Sequence, residues 1–253
     1  MLRIIFFIIF FARITVLNYA QDQFEKDTIS TSKGDLVIIF IGHGSLMFSF
    51  NGKTLHIDPF NKLADYSTLP DADIILVTHH HGDHLDPEAI EKIKGNQTSL
   101  IYTELCAEKF SGGTVLKNGE TKTIDGVEIE SIPAYNLVHM RENGEPFHVK
   151  GTCNGYVITF GDKKIYVAGD TENTPEMKAL KNINIAFLPM NLPYTMTPAM
   201  VADAAKAFKP KILYPYHYGE TDISRIVELM KDEKEVETRI RKMKRKSEIV
   251  SIK

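Results

Sequence analysis

The sequence predicts an α+β domain in which two β-sheets pack together with helices outside. Short apolar runs of strand length crowd the segment from Leu36 onward and recur from Thr121. Each half passes from strand-rich to helix-containing segments, and no linker-like stretch interrupts residues 34–253. A chain of 253 residues is long enough for one large domain with a sizeable core.

Taken in order, the chain opens on an uncharged block, Ile4 to Phe11, preceded by Arg3. This is the length of a signal-peptide core and too short to span a bilayer. Cleavage after Ala20 would leave residues 1–20 as an export signal and send the mature chain to the periplasm or outside the cell. The alternative is an uncleaved membrane anchor over residues 4–20, inserted at some cost for Arg13. Residues 21–33 are polar and read as a spacer, so the folded domain is expected over 34–253.

Leu36 to Ile41, Leu46 to Phe50 and Thr54 to Asp58 read as an antiparallel meander, with Gly-His-Gly-Ser at 42–45 and Asn51-Gly52 as turns. Asp73 to Thr78 is a further strand. Asp86 with Pro87 reads as an N-cap and first helical residue, opening a helix through Ile93. Ser99 to Tyr102 resumes a strand, and Thr103 to Phe110 a short helix holding Cys106. Two strands about Asp125-Gly126 follow over 121–132, then a hairpin over 155–168 about Gly161-Asp162.

From there helices near 175–180, 198–208 and 222–231 alternate with strands at 185–188 and 211–214, and Glu248 to Ile252 closes the chain. The charged run from Lys231 to Lys246 pairs Glu235 with Arg239 and Glu237 with Arg241 at helical spacing, which predicts a solvated helix face.

Hydrophobic content of 43% and charged content of 25% are ordinary for a globular protein, and a net charge of -3 leaves no basic footprint. The expected partner is a small-molecule substrate, nucleic acid is not expected, and a cleaved signal would leave no stable membrane partner. Two cysteines, Cys106 and Cys153, make no disulfide framework; both are expected as small buried residues.

The chemistry concentrates in Thr78-His79-His80-His81-Gly82-Asp83-His84-Leu85-Asp86, where His79, His81, Asp83 and His84 read as His-x-His-x-Asp-His. Borderline imidazole nitrogens plus an anionic oxygen, delivered from one loop at a strand end, suit divalent cations. Two ions need more ligands, including a carboxylate able to bridge them. Asp170 is the best candidate, leaving a strand just after Gly169; a plain turn aspartate is the alternative. His217 also follows a strand, though its aromatic neighbours would fit packing equally well.

In this order, with Gly-Asp-Thr at 169–171 and His-Tyr-Gly at 217–219, the motifs resemble the metallo-β-lactamase-fold hydrolase superfamily over roughly residues 34–220. Ile41-Gly42-His43-Gly44-Ser45 and Ile57-Asp58-Pro59 resemble the branch that includes ascorbate-6-phosphate lactonase. The resemblance implies a four-layer αββα sandwich with metals at one edge of the sheets. It places His79 and His81 on a first metal, Asp83, His84 and His217 on a second, and Asp170 between them. The remaining first-site ligand is expected at His148, with His139 as the alternative. By the same resemblance Asp58 fixes an imidazole tautomer. His43 would approach the metals to orient substrate or carry a proton, or be a turn residue without a role.

His80 is expected to be structural and His56 half-buried. Asn136, Tyr194 and Thr195 are pocket candidates, in loops near 60–70, 136–150 and 190–197.

The expected activity is hydrolysis of a lactone, ester or phosphoester-type bond by a hydroxide shared between two divalent ions, with Asp83 or Asp170 holding its proton. Zinc is the expected metal, with manganese or iron as alternatives. The rivals are a nuclease or phosphodiesterase, for which the chain lacks a basic surface, and a non-catalytic metal binder. A di-iron redox enzyme is expected to carry a carboxylate where His81 stands.

Overall fold

The computed structural model describes residues 23–245. The export segment and the strand expected over 248–252 therefore lie outside the described residues. Among the described residues no helix is long and apolar enough to cross a membrane.

The first sheet carries seven strands in sequence order: β1 (Glu25–Thr31), β2 (Gly34–Gly42), β3 (Ser45–Phe50), β4 (Lys53–Ile57), β5 (Ala72–Leu76), β6 (Lys94–Tyr102) and β7 (Thr114–Val115). Strands β1 to β4 form an antiparallel meander, and β5 to β7 join in parallel. The second sheet runs β14 (Glu237–Thr238), β13 (Ile212–Tyr216), β12 (Ile185–Pro189), β11 (Lys163–Val167), β10 (Cys153–Phe160), β9 (Val127–Ala134) and β8 (Thr121–Ile124). Among the described residues five α-helices accompany the sheets: α1 (Pro87–Ile93), α2 (Glu104–Lys109), α3 (Pro175–Lys178), α4 (Pro198–Phe208) and α5 (Ser224–Met230).

Strand β2 explains the layering. Its alternate residues Leu36, Ile38 and Phe40 join the core shared with the second sheet, while Ile39 and Ile41 face the cluster that holds Ala89, Ile90 and Ile93 of α1 and Cys106 of α2. A strand covered on both faces must read as a continuous apolar run, as Leu36 to Ile41 does. Between the sheets Phe48 meets Phe160 and Phe187, at ring centroids 5.8 and 6.1 Å. On the far side α4 lays Phe208 against Tyr166 of β11. The order is helix, sheet, sheet, helix, the αββα sandwich expected.

Three expectations change. Residues 25–31 lie in the segment read as a spacer but form edge strand β1, in register with β2 from Glu25 opposite Phe40 to Thr31 opposite Gly34. Asp27 there binds Arg241 through a paired contact at 2.8 Å, so this polar strand is held by charge as well as by the ladder.

The described part of the charged run, Lys231 to Arg245, is no helix. Residues 231–236 form turns, β14 then pairs β13, and Val236 and Met243 are buried. Glu235 and Arg239 pair instead with Lys209 and Glu237. Burying two spaced apolar residues against a sheet outweighs exposed helical ion pairs, each of which contributes only about 0.3–0.5 kcal/mol. His56, expected half-buried, is fully buried with Nε2 on the Pro70 carbonyl.

Candidate metal centre

The cleft lies where strands end. Asp58 follows β4, His79 to His84 follow β5, Asp170 follows β11 and His217 follows β13. Three residues of this ring take left-handed backbone angles: His43 at φ 46°, Asp58 at 46° and His217 at 45°. Such angles are costly for residues with a Cβ and concentrate where side-chain aim matters more than backbone comfort. Gly169, at φ +65°, admits the close approach of the two sheets, since a Cβ there would sit 2.7 Å from the Asn154 carbonyl and 3.0 Å from Thr78. Gly44 does the same for the imidazoles: a Cβ would stand 2.9 Å from His84 and 3.1 Å from His217.

The side chains fall into sets that could hold metal ions. His79, His81 and His148 form one; His43, Asp83, His84 and His217 form another; and Asp170 lies with His79 and His84, all with donor atoms within 4.8 Å of each other. In the first set His79 Nε2 lies 3.0 Å from His81 Nδ1. In the second His84 Nε2 lies 3.1 Å from His217 Nε2. Asp170 reaches both, with Oδ2 3.4 Å from His148 Nε2 and Oδ1 3.6 and 3.4 Å from Nε2 of His84 and His217.

Ligand atoms about 2.0–2.1 Å from a tetrahedral ion stand about 3.3 Å from one another, which is this spacing. Buried His148 Nε2 and Asp170 Oδ1 have no hydrogen-bond partner. Orphaned lone pairs converging from imidazoles and a carboxylate fit divalent cations.

Three imidazoles donate backward from Nδ1, which leaves Nε2 as the ring atom able to ligate. Asp58, wholly buried, accepts from the Thr78 amide at 2.7 Å, from Thr78 Oγ1 at 2.6 Å and from His84 Nδ1 at 2.8 Å. Because the Thr78 hydroxyl donates to Asp58, it accepts from His79 Nδ1 at 3.0 Å. His148 Nδ1 donates to Asn136 Oδ1 at 2.8 Å. The Asn136 amide is itself oriented, its Nδ2 donating to the Tyr194 carbonyl at 2.9 Å. The sequence placed Asn136 only as a pocket candidate; it stands behind His148.

Charge follows burial and neighbours. Burial opposes charge on His84, but the carboxylates of Asp170 and Asp58 outweigh it and raise its pKa to about 9. Burial also opposes ionisation of Asp170, yet His217, His84 and His148 bring it to about 2. Burial lowers His217 to about 3 and His81 to about 4. Without an ion, then, one imidazolium balances the central carboxylate while the other ring nitrogens stay neutral and ready to ligate.

His43 donates from Nε2 to Asp83 Oδ2 at 3.1 Å, and its ring lies 3.7 Å from that of His217. His139 is apart from the sets: its Nδ1 meets Glu172 at 2.5 Å. Glu172 is a residue the sequence reading missed. Burial opposes its ionisation, but the amides of His139, Leu137 and Val138 hold its carboxyl below the usual range and fix the 137–139 turn. No local motif signals it, because its partners lie more than thirty positions away.

The cleft has a volume of about 1030 Å³. Loops 136–150 and 190–197 supply Arg141, Phe147, Asn191, Leu192 and Tyr194 to its wall, as expected. Residues 60–70 do not, because Phe60, Leu63, Tyr66 and Leu69 turn into the helix-side core. The segment 219–222 lines it instead. Thr195 is buried, closing a turn by accepting the Asn191 amide at 2.7 Å.

Residues 37–217 match the model of the family described as the Beta-lactamase superfamily domain. A UPF0173 metal-dependent hydrolase of Methanopyrus kandleri is 32% identical over 194 residues, covering 72% of this chain and 84% of its own. The crystal structure of a Parabacteroides distasonis protein assigned to the metal-dependent hydrolases superposes with TM-score 0.83 at 48% identity, over 87% of this chain and all of that one. Igni18, a metallo hydrolase of Ignicoccus hospitalis, shares the fold at TM-score 0.67 and 22% identity, over 81% of this chain and 94% of its own.

Proposed function

Because this chain belongs to the β-lactamase superfamily and is a metal-dependent hydrolase, we propose that it holds two divalent cations, zinc in the first instance, and hydrolyses a lactone, ester or phosphoester-type bond. His79, His81 and His148 would hold one, and Asp83, His84 and His217 the other. The observation that carries this reading is Asp170, whose two oxygens divide between the sets. When bound, the cations supply the acidity that brings water near ionisation at neutral pH and polarise the oxygen of the bond to be broken.

The remaining work belongs to the protein. Asp83 or Asp170 takes and returns the water's proton, and His43 aims Asp83 through its 3.1 Å hydrogen bond. Asp58 and Asn136 keep His84 and His148 in the ligating tautomer. The strand ends hold these groups rigidly, so little reorganisation accompanies the reaction. Export rests on residues 4–20 alone, and N-terminal sequencing of the mature protein tests cleavage after Ala20.

The experiment is metal analysis of the native protein with hydrolysis assays on a lactone, an ester, a phosphodiester and a β-lactam, for wild type, Asp170→Ala and His148→Ala. Bound metal and activity in wild type, reduced in both variants, are expected. A metal-free native protein, or full activity in both variants, would sink the reading.

A further inference from the structure

Six large hydrophobic side chains are exposed on the two loops that border the cleft: Leu137, Val138, Met140, Val149, Leu192 and Tyr194. Leu192 and Tyr194 line the cleft itself beside Phe147, and exposed apolar groups at an opening mark a surface meant to be covered. Among the residues lining the cleft, Arg141 is the one lysine or arginine. Its guanidinium lies over the Phe147 ring at 5.1 Å and donates from Nη2 to the Phe147 carbonyl at 3.2 Å. Phe147 in turn meets Tyr194 edge-on at 5.0 Å.

Nearby Lys150 is paired with Glu176 at 2.7 Å, and Glu220, an acidic group of the cleft wall, pairs with Arg245 at 3.2 Å. Arg141 has no carboxylate partner among the described residues. Stacking and the carbonyl contact pre-order the guanidinium and leave further donors for a planar or tetrahedral oxyanion.

We infer that the substrate is an amphipathic anion: a carboxylate or phosphate bound by Arg141, joined to the hydrolysed bond by an apolar segment lying over Phe147, Leu192 and Tyr194. This rests on the hydrolase reading for the position of the reacting bond. Of the carboxylates lining the cleft, Asp83 and Asp170 belong to the metal sets, Glu220 pairs with Arg245 and Asp222 accepts the Ser224 amide at 2.9 Å, and none pairs with Arg141.

The test compares para-nitrophenyl hexanoate with the adipate monoester and a phosphonate-ended ester of matched length, using metal-loaded wild type, Arg141→Met and Arg141→Lys. In wild type kcat/KM for an anion-ended ester exceeds that of hexanoate by about tenfold or more, through KM. Arg141→Met brings that ratio to near one and Arg141→Lys restores part of it, while the carboxylate and phosphonate arms tell the two oxyanions apart. A wild type without preference, or a Met variant that keeps it, overturns the inference and leaves hydrolysis standing. If no ester is turned over, calorimetric titration with ketone analogues, CH2 replacing the ester oxygen, decides. Tighter binding of the anion-ended ketone, lost in Arg141→Met, supports the inference and counts against ester hydrolysis alone. Equal binding in wild type and variant overturns the inference.

Discussion

Replacing Asp58 by asparagine changes almost no volume but reverses one hydrogen bond. Asp58 Oδ2 accepts from His84 Nδ1 at 2.8 Å, and both groups are buried, so no water replaces the contact. In Asp58→Asn the amide oxygen takes the place of Oδ1, which accepts the Thr78 amide at 2.7 Å, while the NH2 group faces His84 Nδ1. Two donors cannot meet, so His84 moves its proton to Nε2, the atom 3.1 Å from His217 Nε2. A protonated Nε2 does not ligate.

Loss of such a supporting carboxylate typically weakens metal binding about 10–100-fold, or about 1.4–2.7 kcal/mol. The loss falls on the second set. His148 takes its tautomer from Asn136, and Thr78 Oγ1 still accepts from His79 Nδ1 while its own proton turns to the bared His84 Nδ1, 3.4 Å away. Competition against a chromogenic chelator is expected to resolve one site of wild-type affinity and one weakened site, with the circular dichroism spectrum unchanged. Two sites of wild-type affinity in a folded Asp58→Asn protein would refute the tautomer argument.

Two further outcomes follow from the site. His148→Ala is expected to release metal from the first set, whereas His139→Ala, which breaks only the contact to Glu172, retains it; metal analysis after gel filtration decides, and the reverse result would exchange their roles. For the chelated, metal-free protein the melting temperature is expected to peak near pH 6.5. His217 and His81, with His56 at about 4, lie below the ordinary 6.5, so the stability they contribute is present above 6.5 and is lost as pH falls through about 4 and 3. His84 lies above it, so its contribution is present below 6.5 and is lost as pH rises through about 9. A melting temperature that climbs from pH 7 to 9 would contradict this balance.

Most of the candidate ligands stood out because they occupy strand ends in short patterns, the His tract after β5, Gly169-Asp170 after β11 and His217 after β13, whereas His148, in the loop between β9 and β10, was placed by resemblance. Periodicity placed nearly every strand that is buried on both faces, since such strands must be continuous apolar runs. Edge positions were harder. Strand β1 is polar because one face meets solvent, and its link from Asp27 to Arg241 spans 214 positions. The charged segment after α5 has helical spacing of opposite charges, but Val236 and Met243 are buried, and that burial decides. Asn136 and Glu172 act through contacts that no local pattern encodes; only folding brings Asn136 behind His148 and Glu172 beneath the 137–139 turn.

The most direct test of the metal centre is anomalous diffraction from crystals of the natively purified protein, recorded on both sides of the zinc edge. Two peaks are expected about 3.5–4 Å apart. One would lie among His79, His81 and His148, the other among Asp83, His84 and His217, with Asp170 between them. No peak, a single peak, or peaks outside these two sets would contradict the two-cation account.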